Sequence, residues 1–358
     1  MSSIIRKLTG PKRTRWMAGA AALCLAGLGG WLACLLCGDA PRAWRGLLIA
    51  FIYFTPLSAG LLVWSPIVLT SRGTWLGPIE RFNLAGVAFS IPSLAGLSAL
   101  WIGAAHWAPW VGRTLPQSAW LSKNFLFGRD LAALALFWAL AHWYAARRRE
   151  GEGLRIGPFL IAAYAVVFTL LGNDLVMALD PTWATTLFGA YFFISGLYIA
   201  ICAWALLAAL DAAERGRLHD LGKLLVTFSL LTTYLMFSHL LLIWYENLPR
   251  ETSYLVLRMN FYPWRAVSMA LVALVYLGPL LMLLTVRAKR SGWFLGMVSV
   301  ILLVGLWVER WWLVAPQFSR ELRLGAPEVS ISLAALGALA FGLLGLLRPA
   351  PAAQAGRR

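Results

Sequence analysis

Apolar residues run along this chain in long blocks, broken by short polar stretches rich in arginine. Ten blocks are long enough to span a hydrocarbon core, which takes about 20 helical residues. They cover approximately 16–37, 45–70, 84–107, 130–146, 156–179, 184–210, 222–245, 263–286, 292–314 and 327–347. The fourth is the shortest. The longest connection, from Ala108 to Arg129, joins the third and fourth. The pattern predicts an all-α, polytopic membrane protein of ten transmembrane helices. The layout accommodates two four-helix bundles, helices 2–5 and 6–9, with helices 1 and 10 outside them.

Composition sharpens this reading. Of 358 residues, 60% are hydrophobic and only 13% charged, about half the ~25% of a soluble domain. The net charge is +16. On a soluble chain that charge would point to nucleic acid. Here the cations lie in short connections between apolar runs, where they set topology and no nucleic-acid partner is expected. With the N-terminus inside, 20 of the 31 Lys and Arg fall on the inner side and 11 on the outer side, while the acids divide 6 to 9. The bias places both termini in the cytoplasm, residues 1–15 as a basic N-terminal segment and 348–358 as an unstructured tail, around a 16–347 transmembrane domain. The first run also resembles a signal peptide, but at about 20 residues it exceeds the usual ~7–15-residue apolar region and reads as a span. Cys24, Cys34, Cys37 and Cys202 form neither a disulfide framework nor a zinc motif.

Ionisable residues inside a membrane are costly and face protein or water. Asp174 lies in the fifth helix, roughly 9 Å below the end marked by Asp180 and Pro181, and His239 lies in the seventh at comparable depth. A carboxylate and an imidazole there suit transfer of a proton, from a quinol hydroxyl or along a relay. The structural alternatives are pairing of Asp174 with Asn173, an Arg or a Tyr, and of His239 with Ser238 or Tyr234. His142, beside Trp143 and Tyr144 near the other surface, reads as an interfacial residue or as the proton intake of the same route. Glu309 and Arg310 occur near the end of the ninth helix beside Trp311 and Trp312. Asp180, Glu246 and Glu251 read as solvated or partner-facing. His106, His142 and His239 differ in depth, so no pair suits a bis-histidine haem, and no metal site is expected. Pro56, Pro66, Pro92 and Pro279 predict kinks, and Gly189 and Gly196 helix-packing surfaces.

Two stretches carry more than composition. One is Asn-Asp-Leu-Val-Met-Ala-Leu-Asp-Pro-Thr-Trp-Ala-Thr-Thr-Leu-Phe-Gly at 173–189. The other is His-Asp-Leu-Gly-Lys-Leu-Leu at 219–225, with Ile-Trp-Tyr-Glu-Asn-Leu-Pro-Arg-Glu-Thr at 243–252. Together they resemble the NrfD-like membrane subunits of bacterial alternative complex III, a quinol:electron-acceptor (cytochrome c) oxidoreductase, and most closely its second, quinone-binding-type subunit. The family pattern has Ser, His and a variable residue where this chain has Ala178, Thr182 and Ala184.

The resemblance implies a ten-helix subunit of the bacterial inner membrane with two four-helix bundles and no haem or metal of its own. It implies partners: a sibling NrfD-like subunit, an iron–sulfur subunit and multihaem c-type cytochrome subunits, which receive the electrons of quinol (menaquinol or ubiquinol). The quinol site is usually placed in the sibling, and a proton path is proposed through the second subunit. Asp174 matches the family Asp before Met-x-Leu, so the resemblance adds quinol contact or proton conduction as its role, with His239 and His142 as further members of the route. His239 stands where other members carry Gln or another polar residue. Asp220, Lys223, Glu246 and Glu251 match the second motif. The alternatives are a NrfD-type anchor of another iron–sulfur oxidoreductase, of polysulfide or nitrite type, and a secondary transporter.

Overall fold

The computed structural model describes Ile5 and residues 12–347, without the side chains of residues 249–251. Arg6, Lys7, Arg348, Arg357 and Arg358, the tail expected to be unstructured and the Glu251 side chain lie outside the described residues. Every regular element among the described residues is helical. Ten helical spans are long and apolar enough to cross a membrane: α1 (Arg13–Cys37), α2 (Ala40–Thr70), α3 (Gly77–Ile102), α4 (Lys123–Arg149), α5 (Gly157–Leu179), α6 (Leu187–Leu210), α7 (Arg215–Glu246), α8 (Trp264–Met282), α9 (Gly292–Gln317) and α10 (Ala326–Leu346).

The fourth span is a correction to the sequence reading. It is 27 residues long rather than short. Hydropathy truncates it because Lys123, Arg129 and Arg147–Arg149 lie in its end turns, although a helix continues through charged residues whose heads reach the interface or a partner. A second addition is a helix at Pro249–Met259 in the connection between α7 and α8. Its Arg258, 1% exposed, donates to the carbonyls of Tyr254 (2.8 Å) and Leu313 (2.9 Å) and so fastens the connector to α9. The same guanidinium lies 3.6 Å from the Tyr254 ring centroid, whose other neighbour is the parallel ring of Trp183 at 3.7 Å. Burial pushes the Tyr254 phenol above its ordinary value.

Helix α2 is central and wholly buried along its apolar window. It packs on α3, α5, α6, α9 and α10. Helix α4 lies on α3 and α5, helix α6 on α5, α7 and α9, and α8 on α7 and α9. Helix α1 runs along α10 and is largely turned outward. Small residues let those two approach: a Cβ on Gly27 would stand 2.5 Å from the Ala334 nitrogen, and one on Gly337 would stand 2.5 Å from the Cys24 nitrogen. Packing between such surfaces drives helix association where lipid removes the hydrophobic difference. Arg13, at the start of α1, donates to the carbonyls of Leu344 and Gly345 at the end of α10, so both ends of the span set lie at one face, called here the terminal face.

The predicted packing role of Gly189 and Gly196 is visible, since their Cα positions face Thr169 and the Tyr164 hydroxyl with no space for a side chain. At Pro279 the helix passes through a π-turn, Val272–Leu277. Such a turn and a proline both release carbonyls. Tyr198 of α6 donates to the Val275 carbonyl at 2.9 Å, and Ser229 of α7 to that of Tyr276 at 2.5 Å. Neighbouring helices thus supply the hydrogen bonds that lipid cannot.

Candidate functional site

Asp174 sits in the last regular turns of α5, 1% exposed. Two groups from a neighbouring segment converge on it. The indole N–H of Trp120, in the loop before α4, donates to Oδ1 at 2.8 Å. The Nη2 of Arg129, in α4, donates to Oδ2. The same guanidinium reaches Asp130 through Nε, 3.3 Å from Oδ1. Its centre is also 3.9 Å from the Trp120 ring centroid and 5.1 Å from that of Phe125. Trp120 therefore orients the carboxylate with its edge and covers the cation with its face.

The charges in this cluster do not balance. Two carboxylates, with Asp130 completely buried, share one guanidinium. Taken as ionised, the set carries one excess negative charge in a region where uncompensated charge is expensive. A proton on either acid removes it. The hydrogen bonds are incomplete as well: Asp130 Oδ2 and Arg129 Nη1 are buried without a partner. The arrangement can bind and release one proton while Arg129 keeps the remaining carboxylate compensated.

A second buried acidic centre lies in α9. Glu309 and Arg310 are both fully buried. Glu309 Oε1 accepts from the hydroxyls of Tyr191 and Tyr276, the latter at 3.0 Å. The two hydroxyls are 3.1 Å apart. Arg310 donates to Ser195 Oγ at 2.6 Å and its guanidinium centre lies 4.7 Å from the Phe192 ring centroid. Its Nη1 is 3.9 Å from Glu309 Oε2, an ion pair without a hydrogen bond. Glu309 Oε2 and Arg310 Nε and Nη1 lack partners. Acid and base here cancel in charge, unlike the Asp130–Asp174 pair.

His239 belongs with this second group rather than with Asp174. Its ring is edge-on to Tyr191 at 5.6 Å and tilted against Phe188 at 6.2 Å, and its Nε2 is buried without a hydrogen-bond partner. Ser238, considered as its partner from the sequence, bonds instead to the carbonyl of Tyr234 in its own helix, and Tyr234 is 65% exposed. The cavity beside His239 measures about 20 Å³. That holds about one water and falls far short of a quinone ring.

His142 is apart from both groups. It lies on α4 about 18 Å from Asp130 along the helix, and its Nε2 is 3.0 Å from Ser90 Oγ of α3. Ser93, one turn from Ser90, receives the indole N–H of Trp138 at 2.7 Å. His142 is therefore part of a polar seam between α3 and α4. Closer to the terminal face is a more deeply placed network that the sequence reading passed over. Glu80 accepts two bonds from Arg148, at 2.7 and 3.1 Å. Ser65 of α2 bonds to Glu80 at 2.8 Å and lies 2.8 Å from the Tyr144 hydroxyl.

Three further readings can be placed. Asp180, expected at solvated loop level, is 7% exposed and accepts from the backbone and hydroxyl of Thr182. Asp220 pairs with Lys223 at 2.6 Å. Among the described residues no three His, Cys, Asp or Glu side chains are gathered as a metal-ligating set.

The pairing of Asp174 with an arginine was one option open in the sequence. The identity of that arginine, and of Asp130, was missed because both occupy the segment read as the boundary of the longest loop. The tyrosines on Glu309 come from helices whose apolar pattern marks no special position. The only sequence signal was the Glu309–Arg310 pair in an otherwise apolar run. No family model matches this chain, and no curated protein matches it.

Proposed function

We propose that this chain is a membrane subunit of an alternative-complex-III-like quinol:electron-acceptor oxidoreductase, and that within it the chain conducts protons. The reading joins the 173–189 and 219–252 motifs to one structural observation: two buried carboxylates, Asp130 and Asp174, share the single guanidinium of Arg129. That imbalance suits a group whose task is to carry one proton. The small cavity at His239 favours conduction over quinol contact by this chain, and quinol oxidation is assigned to the sibling NrfD-like subunit.

In this account the chain lies in the bacterial inner membrane with the terminal face in the cytoplasm, consistent with its excess of Lys and Arg. The Glu80, Ser65 and Tyr144 network takes up protons from that side. The Asp130–Asp174 pair holds one near the opposite face. Protonation of one carboxyl leaves the other paired with Arg129; loss of the proton restores the excess charge and readies the pair for the next. Glu309, hydrogen-bonded by Tyr191 and Tyr276, is a second proton-holding group, and His239, whose free Nε2 lies beside a water-sized cavity and whose ring faces Tyr191, is its outlet. His142 contributes through the seam between α3 and α4. Electrons pass only through the iron–sulfur and haem subunits, since this chain supplies no redox centre in this reading.

Membership is tested by tagging the chain, extracting it in mild detergent and identifying co-purifying proteins by mass spectrometry. Iron–sulfur and multihaem c-type subunits are expected. Recovery of the chain alone, in native conditions that keep other respiratory complexes whole, contradicts the proposal and makes a transport assay in liposomes the next test.

A further inference from the structure

At the terminal face, where α6 ends and α7 and α9 begin, a cavity of about 570 Å³ opens to the outside. Three arginines line it: Arg215, Arg287 and Arg290. No carboxylate lines it. The surrounding cations are already satisfied. Arg217 lies 3.3 Å from Glu214 and donates to the Trp75 carbonyl, Lys223 pairs with Asp220, and Lys289 donates to the carbonyls of Leu283 and Leu284. The three arginines of the cavity have no hydrogen-bonding or ionic partner among the described residues.

The backbone adds to their field. The cavity includes Ser291 and Gly292, the cap and first residue of α9, and Arg215, the first residue of α7. Both helices exceed twenty residues, and neither has an acid in its first turn. The positive end of α9 is thus uncompensated at the site, whereas the cap position of α7 carries Glu214, drawn toward Arg217. The remaining wall is apolar, made by alanines of the α6–α7 turn, Leu218 and Trp293. Trp293 is 68% exposed, and Leu281 and Leu284, at the end of α8 and just beyond it, are 73% and 67% exposed.

A cationic cup with an apolar wall and an exposed tryptophan at its rim matches an amphiphile with an anionic head. We propose that Arg215, Arg287 and Arg290 bind the phosphodiester headgroup of an anionic glycerophospholipid, with an acyl chain lying along Trp293. Basic pockets between transmembrane helices hold such headgroups by charge, while the planar guanidinium forks bond phosphate oxygens. The volume suits a glycerophosphate head. This inference stands independently of the proposed proton conduction, because none of its residues belongs to that route.

The test is native mass spectrometry of the full-length chain in mild detergent, titrated separately with phosphatidylglycerol, phosphatidylcholine and inorganic phosphate. One phosphatidylglycerol is expected to bind at least about tenfold tighter than phosphatidylcholine. Each Arg→Gln substitution should weaken it by about fivefold, and R215Q/R287Q/R290Q by about 100-fold, at roughly one charge contact apiece. Arg113→Gln/Arg265→Gln, which removes two cations from the opposite face, should leave it unchanged. Arg290→Gln alone keeps the test open should the triple variant fail to fold. Equal binding of the two lipids, full retention of phosphatidylglycerol by Arg290→Gln and the triple variant, or displacement of the lipid by millimolar inorganic phosphate overturns the assignment.

Discussion

The guanidinium of Arg129 meets the carboxylate of Asp174 across 45 positions of chain, joining the start of α4 to the end of α5. Asp130, the next residue after Arg129, claims the same cation. Arg129 is therefore the counter-charge on which two buried acids depend.

Loss of that counter-charge should be felt first in stability. Arg129→Gln leaves two buried carboxyls facing each other. Breaking a buried pair costs about 3–5 kcal/mol; the Arg129 side chain is 19% exposed, which reduces the expected loss to about 2–3 kcal/mol. Adding Asp130→Asn removes one of the stranded charges and should restore part of it. Thermal unfolding of the three proteins in one detergent measures this. A double variant no more stable than Arg129→Gln would deny that the two acids share the arginine.

Trp120→Phe keeps an aromatic face over Arg129 and deletes the N–H that bonds Asp174. A hydrogen bond to a charged group contributes about 1.5–3 kcal/mol. The expected result is a lowered Tm together with reduced proton release, while Trp120→Ala, which also uncovers the cation, should be worse in both. Wild-type stability and proton release in Trp120→Phe would show that the indole N–H contributes nothing.

At the second centre the prediction concerns Arg310. Glu309→Ala strands a fully buried guanidinium, with an expected cost of about 3–5 kcal/mol. Glu309→Gln keeps a hydrogen-bond acceptor for Tyr191 and Tyr276 and should cost less in stability, yet should impair proton transfer as much. Thermal unfolding paired with proton-release assays separates the two. Full proton release by Glu309→Gln would exclude Glu309 as a carrier.

The crossing of α1 and α10 gives a prediction about assembly alone. Gly337→Val places side-chain atoms where the Cys24 backbone lies. The helices must separate, so limited proteolysis should cut the α1–α2 connection faster. Gly29→Val, at a position with open space around its Cα, should not change the cleavage rate.

The spans were legible in the chain because lipid demands long apolar runs, and their number follows from ten of them. Their ends were less so. The Arg129 end of α4 looked like loop because a single-residue hydropathy reading cannot see that the cation turns inward to two acids. Asp174 stood out as a lone acid among apolar residues. Asp130 did not, since it borders a polar connection. Trp120 could not be assigned to Asp174 from sequence, as nothing local fixes where a long loop returns. The same limit applies to Glu309, whose phenolic partners lie 118 and 33 positions away. His239 was grouped with Asp174 by depth alone. Depth says nothing about which side chains are neighbours: Asp174 meets Trp120 and Arg129, while His239 faces Phe188 and Tyr191.

The most direct test of the central claim is the proton-to-electron ratio of the intact complex in liposomes, with Asp174→Asn in this chain. The account predicts complete assembly, continued electron transfer when the proton gradient is collapsed by an uncoupler, and a clear fall in protons moved per quinol oxidised. An unchanged ratio with unchanged turnover would contradict it.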